Sequence, residues 1–192
     1  MHKIWKVLAS AVAVAVVSAP AVARADGYIS PFVGTNFGSN SGNGRTNVGA
    51  DLGAMGHGVI GVELDFGYAP SFFGSSAPFG SNSVTDFMGN VIIGIPTGGQ
   101  KGAGVRPYGT IGTGLLRTQI NGATSAAASI TNNDAGLNAG AGVMGYFSNH
   151  LGIRGDVRYF RNLSHSNSVN GFNVDFGAFH FWRASIGIII RP

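Results

Sequence analysis

The sequence predicts an all-β chain in which a cleaved signal peptide precedes an eight-stranded antiparallel up-and-down transmembrane β-barrel. Three observations predict this fold. Apolar residues recur at every second position along most of the chain, long and short connections alternate, and charged residues lie opposite the bulky aliphatic side chains. The composition agrees, because only 10% of the residues are charged, against roughly 25% in a typical soluble domain.

The amino-terminal segment is predicted to be a signal peptide. Two lysines near the start precede a short apolar stretch at residues 7–17. Ala23 and Ala25 are small at the positions that signal peptidase reads, so cleavage is expected before Asp26, with cleavage after Ala23 as the alternative. The expected division is therefore a signal peptide at 1–25 and a barrel domain at 26–192.

Four segments after the signal peptide have a strong period of two. In Val59–Ala69, apolar side chains stand at the even positions from Ile60 to Tyr68, whereas Glu63 and Asp65 stand between them. A strand points successive side chains to opposite faces, so one face would meet lipid and the other the lumen. The segments of this kind are Val59–Ala69, Phe87–Ile95, Leu151–Arg161 and Trp182–Ile190.

Four weaker segments complete the predicted barrel. Their alternation is diluted by Gly, Ala and Thr, and they are Tyr28–Phe37, Asn47–Met55, Val105–Thr118 and Gly136–Phe147. Together with the strong segments they make eight strands, the even number that an antiparallel barrel with both ends on one side requires.

The predicted connections alternate in length. The long ones are polar and rich in Ser, Asn and Gly: Gly38–Thr46, Ser71–Ser83, Gln119–Asp134 and Asn162–Ala178. The short ones are Gly56–Gly58, Thr97–Ala103 and Ser148–His150. Short periplasmic turns and long external loops are typical of small outer-membrane barrels. A soluble up-and-down barrel is the alternative, and it would bury its large apolar side chains and expose its charges.

The charges favour the membrane barrel. Acidic residues occur on the first four predicted strands, and three arginines with one further acid between two of them occur on the last two, all on the face opposite the aliphatic side chains. They are Asp51, Glu63, Asp65, Asp86, Arg154, Asp156, Arg158 and Arg183. An eight-stranded barrel is just wide enough for side chains to fill it, so we expect these groups to meet across the lumen. Opposite charges would then form a plug of ion pairs rather than an open pore.

Several short stretches resemble a known family. They are Ile29–Gly34, Gly61–Tyr68, Arg106–Tyr108, Gly155–Phe160 and Phe181–Arg183. On these residues the chain resembles the bacterial outer-membrane β-barrel domain family of OmpA-like, opacity-type and OmpW-like small surface proteins. Members of that family usually end in an aromatic residue, whereas this sequence ends Ile190-Arg191-Pro192.

The resemblance implies a place and partners for the protein. It implies the bacterial outer membrane, with both termini periplasmic and the long loops extracellular. Outer-membrane lipids, lipopolysaccharide and the barrel assembly machinery would be its partners, and any extracellular ligand is left open. The implied role is a non-enzymatic surface protein that acts in envelope integrity, adhesion or shielding. A narrow passive channel for small solutes, as in OmpW-like members, is the alternative.

A lipid A-modifying hydrolase is a further alternative. Small barrel enzymes that deacylate lipid A place a His and a Ser two residues apart on one strand, with an acid nearby. His165 is instead adjacent to Ser164 and Ser166 and three residues from Ser168, with Asp175 as a distant acid. Adjacent strand residues point to opposite faces, so this spacing does not bring a nucleophile to its base. A polar external loop is the preferred interpretation.

No other motif indicates chemistry. The glycine pairs Gly112/Gly114 and Gly140/Gly142 are followed by no predicted helix, the histidines lack metal-ligand spacing, and there is no cysteine. The basic residues form no run that would bind nucleic acid. We therefore predict no catalytic residue, cofactor, metal site or nucleic-acid partner.

Three phenylalanines lie in the second long connection. Phe72, Phe73 and Phe79 are expected at the outer membrane interface. We interpret them as part of an aromatic girdle, with contact to an apolar ligand or partner as the alternative.

Overall fold

The computed structural model describes residues 25–38, 44–74, 81–97, 102–121, 130–163, 167–169, 172–174 and 179–192. Residues 1–24 of the predicted signal peptide lie outside these ranges, so the signal peptide and its cleavage site stay predictions. Within the described ranges, no helix is both long and apolar enough to cross a membrane.

Eight antiparallel strands close into a barrel, which confirms the predicted fold class. The strands are β1 (Ala25–Phe37), β2 (Arg45–Gly56), β3 (Ile60–Pro70), β4 (Asn82–Gly94), β5 (Gly104–Ile120), β6 (Ile130–Tyr146), β7 (Leu151–Asn162) and β10 (His180–Ile190). Each pairs with its neighbour along the chain, and β1 pairs with β10 to close the ring. The closing pair sets Ile29 opposite Ile190 and Phe37 opposite Trp182.

The side chains alternate between the outside and the lumen. On β3, Ile60 is 63% exposed, whereas Glu63 and Asp65 are 2% and 0% exposed. The outer face carries the large apolar side chains of all eight barrel strands, and the described acidic and basic network residues point inward. This is the arrangement expected of a barrel whose outside contacts lipid, because a soluble barrel would place these groups the other way round.

The two ends of the barrel differ. At one end, here called the turn end, β1 begins, β10 ends and connections join β2 to β3, β4 to β5 and β6 to β7, the first and last of them short. His57 and Gly58 both have positive φ, at 50° and 71°, as the tight β2–β3 turn requires. The other end, called the loop end, carries the connections that follow β1, β3, β5 and β7. The connections thus alternate between the two ends, but their lengths do not alternate strictly, because the β4–β5 connection at 95–103 is longer than the β1–β2 connection at 38–44.

Two predicted loops contain more strand than expected. β5 and β6 continue as a paired hairpin to Ile120 and Ile130, inside the connection predicted at Gln119–Asp134. The extension carries polar residues on both faces. A hairpin that projects beyond the membrane has no face in contact with lipid, so its sequence does not alternate between apolar and polar residues. A small hairpin, β8 (Asn167–Val169) with β9 (Phe172–Val174), lies in the predicted loop after β7.

Candidate functional site

The inward-facing charges form one layer across the middle of the lumen, called the ionic layer. Its members come from five strands and are Asp51, Glu63, Asp65, Asp86, Arg154, Asp156, Arg158 and Arg183. All are at most 6% exposed. Each sits at an inward position of its strand, so closing the barrel brings the acids of β2, β3 and β4 to the arginines of β7 and β10.

Arg158 is the centre of the ionic layer. Its guanidinium lies 2.6 Å from Asp65, 2.8 Å from Glu63 and 2.8 Å from Asp156. Asp51 is slightly farther, at 3.7 Å. The side chain is completely buried, so these carboxylates replace the water that would otherwise solvate the charge.

Arg154 and Arg183 extend the layer on either side. Arg154 pairs with Glu63, and lies 3.1 Å from both Asp51 and Asp156. Its Nε donates a hydrogen bond of 2.6 Å to the Tyr108 hydroxyl.

Arg183 points toward the loop end of the layer. It pairs with Asp65 and lies 2.9 Å from Asp86. Its guanidinium carbon is 4.7 Å from the ring centroids of both Phe32 and Phe160, so cation–π attraction adds to the ion pairs. Arg183 thus joins the charged layer to the aromatic residues beyond it.

Uncharged partners that the sequence analysis did not single out complete the network. The hydroxyl of Tyr28 donates to Glu63 at 2.7 Å, and that of Tyr108 donates to Asp156 at 2.9 Å. Asn90 and Ser185 donate to the same two carboxylates. Strand alternation could have indicated this role for Tyr108, because it stands two residues from Arg106 and therefore points to the same face, the lumen. A tyrosine is equally typical of an outward-facing position at the membrane interface, so its residue type did not decide between the two.

The ionic layer contains five carboxylates and three guanidiniums, a formal excess of two negative charges. Oxygens of Asp51, Glu63 and Asp65 lie within 4.8 Å of one another, the kind of grouping that can hold a cation. Each of the three is already paired with an arginine, so a metal ion would have to displace a guanidinium. The expectation of no metal site stays a prediction.

Aromatic side chains close the loop end above the ionic layer. Phe160 and Phe181 stack with centroids 4.9 Å apart and an interplanar angle of 5°. Phe72 contacts Phe181 edge-on at 5.0 Å and lies 5.6 Å from Phe179. These four residues, called the phenylalanine layer, are buried together with Ala69, Val84, Met88 and Leu116.

Phe72 corrects one interpretation made from the sequence. It is 0% exposed, so it fills the lumen rather than joining an outward-facing aromatic girdle. The turn at residues 71–74, directly after β3, folds back over the barrel opening. The Asn82 side-chain amide stabilises this turn by donating a hydrogen bond of 2.7 Å to the Gly74 carbonyl. Phe73 packs half-buried against the same layer. Phe79 lies outside the described residues.

Most of the residues considered for a hydrolase cannot be placed. His165, Ser164, Ser166 and Asp175 lie outside the described residues, and Ser168 lies in β8. His57 is placed in the β2–β3 turn and His150 in the β6–β7 turn, far along the barrel from the loop end. The expectation of no catalytic residue therefore stays a prediction.

Solved structures of other small barrels share this architecture. The N-terminal β-barrel domain of Pseudomonas aeruginosa OprF has a TM-score of 0.55 at 18% identity, covering 87% of this chain and 97% of that one. Neisserial surface protein A has a TM-score of 0.60 at 15% identity, and the match covers 86% of this chain and 97% of that one. The Yersinia pestis attachment invasion locus protein Ail, solved with the heparin analogue sucrose octasulfate, has a TM-score of 0.54 at 14% identity. That match covers 87% of this chain and 99% of the Ail chain. At these identities the likeness concerns the fold alone.

The family assignment comes from the sequence. No curated protein is significantly similar to the chain over its sequence. The profile of the family described as outer membrane protein beta-barrel domain matches residues 9–181, which is most of the chain. With a closed eight-stranded barrel that turns its apolar side chains outward, the match places the protein in the bacterial outer membrane. The chain belongs to the outer membrane protein beta-barrel domain family.

Proposed function

We propose that this is a non-enzymatic surface barrel that acts through its loops in envelope integrity, adhesion or shielding. The observation that carries the proposal is the double closure of the lumen. The ionic layer spans the middle of the barrel, and the phenylalanine layer covers it on the loop side. A barrel filled in this way has little room to move solutes, so its remaining accessible features are its outer face and its loops.

The proposed orientation places the turn end in the periplasm and the loop end outside the cell. Short turns on the periplasmic side and longer loops on the external side are the rule for outer-membrane barrels. The first residue of β1 and the last of β10 both lie at the turn end. Export through a signal peptide would leave the start of the barrel on that side.

A ligand-binding role has a precedent in the fold. Ail, which has a similar barrel, was solved in complex with a heparin analogue. That complex shows that a small barrel of this architecture can bind a polyanionic ligand. It supports a binding role here without identifying the ligand or the surface that binds it.

Two measurements test the proposal. The protein in outer-membrane fractions should change its gel mobility between unheated and boiled samples, as closed barrels do. In planar bilayers the purified protein should be electrically silent. Regular channel openings in the unaltered protein would contradict the proposed role.

A narrow passive channel is the second candidate, and one observation favours it. The buried amides of Asn36, Asn47 and Asn138 have no hydrogen-bond partner among the described residues, so polar groups that could contact a hydrated solute line the lumen. Under this function, conductance would be present and would be abolished or enlarged by Arg158→Ala or Glu63→Ala. The matched control is Arg161→Ala, because Arg161 lies on β7 but faces outward.

A further inference from the structure

Two arginines at the turn end of the lumen lack the partners that the other inward-facing arginines have. Arg106 on β5 is 4% exposed, and Arg191, just after β10, is 8% exposed. Neither forms an ion pair with any carboxylate of the described residues, whereas Arg154, Arg158 and Arg183 form several each.

The two guanidiniums converge on one aromatic ring. The Arg191 guanidinium carbon lies 3.5 Å from the centroid of Tyr146, and that of Arg106 lies 5.2 Å from the same centroid. Two like charges have therefore been brought into one small volume. Cation–π attraction to a single tyrosine offsets only part of the cost of burying them.

Hydrogen-bonding capacity also remains unused at this position. Nε of Arg106 and both Nε and Nη2 of Arg191 are buried without a partner among the described residues. The described acceptor for the Arg106 guanidinium is a weak one, the Met55 sulfur at 3.7 Å. The Arg106 side chain is fixed against the β2–β3 turn, where a Cβ on Gly58 would lie 2.5 Å from its Nη2.

The acidic residues of the chain cannot all reach these arginines. Five are held in the ionic layer, and Asp134 lies near the loop end of β6, where Asn132 donates to it. Asp175 lies outside the described residues. Asp26, at the start of β1 opposite Met55, is the acid at the turn end, and it forms no ion pair in the described structure.

We propose that the turn end of the lumen binds a phosphate-type oxyanion between Arg106 and Arg191, against the ring of Tyr146. Guanidinium groups bind phosphate oxygens with paired, charge-assisted hydrogen bonds. Such an anion would neutralise two buried positive charges and accept from the three unused nitrogens. The phosphate could be a free ion or the headgroup of a phospholipid in the adjacent leaflet, and the chemistry at the arginines is the same.

The first experiment uses inorganic phosphate as the probe. The barrel in uncharged maltoside micelles is titrated with phosphate in a calorimeter, with acetate as the comparison anion. We expect saturable phosphate binding, weakened on the order of tenfold or more by Arg106→Gln or Arg191→Gln. Arg117→Gln is the matched control, because Arg117 is exposed on the outer face of β5 at the loop end, and it should leave the isotherm unchanged.

The second experiment separates the two sources of phosphate and does not depend on the folding of variants. The thermal unfolding midpoint of the unaltered protein is measured in phosphatidylcholine vesicles with and without phosphatidylglycerol. A higher midpoint with phosphatidylglycerol, together with NMR shifts at the Tyr146 and Arg191 amides, identifies a lipid headgroup. Shifts at the same amides with inorganic phosphate in micelles identify the free ion.

Three results would overturn the proposal. One is no saturable response in either experiment. Another is an equal response in the Arg106→Gln/Arg191→Gln double variant. The third is strong energetic coupling between Asp26→Asn and Arg106→Gln in a double-mutant cycle of thermal unfolding, which would show that Asp26 supplies the counter-charge itself.

Discussion

Replacement of Arg158 by methionine should be among the most damaging single changes in this barrel. Methionine keeps an unbranched, flexible side chain, although a shorter one, and removes the charge and the hydrogen-bond donors. The change would leave Asp65, Glu63 and Asp156 without contacts of 2.6, 2.8 and 2.8 Å. The formal excess of negative charge in the ionic layer would rise from two to three.

The expected loss can be estimated from buried ion pairs in other proteins. Removing one partner of such a pair costs about 3–5 kcal/mol, because the remaining charge stays buried without compensation. Arg154 and Arg183 still contact the same carboxylates, which keeps the loss within this range. The assay is equilibrium unfolding by urea in lipid vesicles, followed by the fluorescence of Trp182 and by heat-dependent gel mobility.

Arg161→Met is the control on the same strand. Arg161 faces outward near the loop end of β7, and a charge near the membrane interface contributes about 0–1 kcal/mol. A second comparison adds Asp65→Asn to Arg158→Met, and the double variant should lose less than the sum of the two single losses. If Arg158→Met costs no more than Arg161→Met, the ionic layer does not stabilise the barrel as argued.

Further changes test other parts of the lumen. Gly67→Ala should lower the urea midpoint, because its Cβ would lie 2.5 Å from the Asp86 carboxylate; Gly109→Ala, whose Cβ meets nothing nearer than 3.9 Å, should be close to neutral. Tyr28→Phe should cost about 1.5–3 kcal/mol in the same assay, since it removes a hydrogen bond to a charged group; an unchanged midpoint would contradict this. Phe72→Ala should cost about 3–5 kcal/mol, and an unchanged unfolding curve would show that this ring does not fill the barrel.

The sequence predicts the strands where lipid contact constrains both faces. On β3, five apolar outward positions alternate with Glu63 and Asp65, and the strand begins and ends within one residue of the prediction. Where a strand extends beyond the membrane, neither face contacts lipid, and the alternation of apolar and polar residues no longer identifies it. The β5–β6 hairpin pairs Thr118 with Asn132, residues that alternation cannot distinguish from a loop.

The contents of the lumen were only partly predictable. The alternation of side chains along each strand indicates that Arg158 and Asp65 point into the lumen. It does not indicate which carboxylate each arginine contacts, because that depends on how the strands are staggered across the barrel. The position of Phe72 depends on the turn after β3 folding back over the opening, a tertiary contact without a local signal. The alternation on β5 likewise indicates that Arg106 points into the lumen. Its lack of a carboxylate partner depends on where the acidic side chains lie in three dimensions, which the sequence does not show.

The distance in sequence between partners in the ionic layer constrains how the chain can assemble. Glu63 and Arg154 are 91 residues apart, and Asp65 and Arg183 are 118 apart. A nascent sheet that holds only the first strands therefore carries its acids with no arginine to meet them. Such a sheet cannot enter lipid stably, because its uncompensated charges would be left in a medium without water. We therefore expect a barrel that lacks β7 and β10 to insert poorly, because the arginines that pair with the acids of β2, β3 and β4 stand on those two strands.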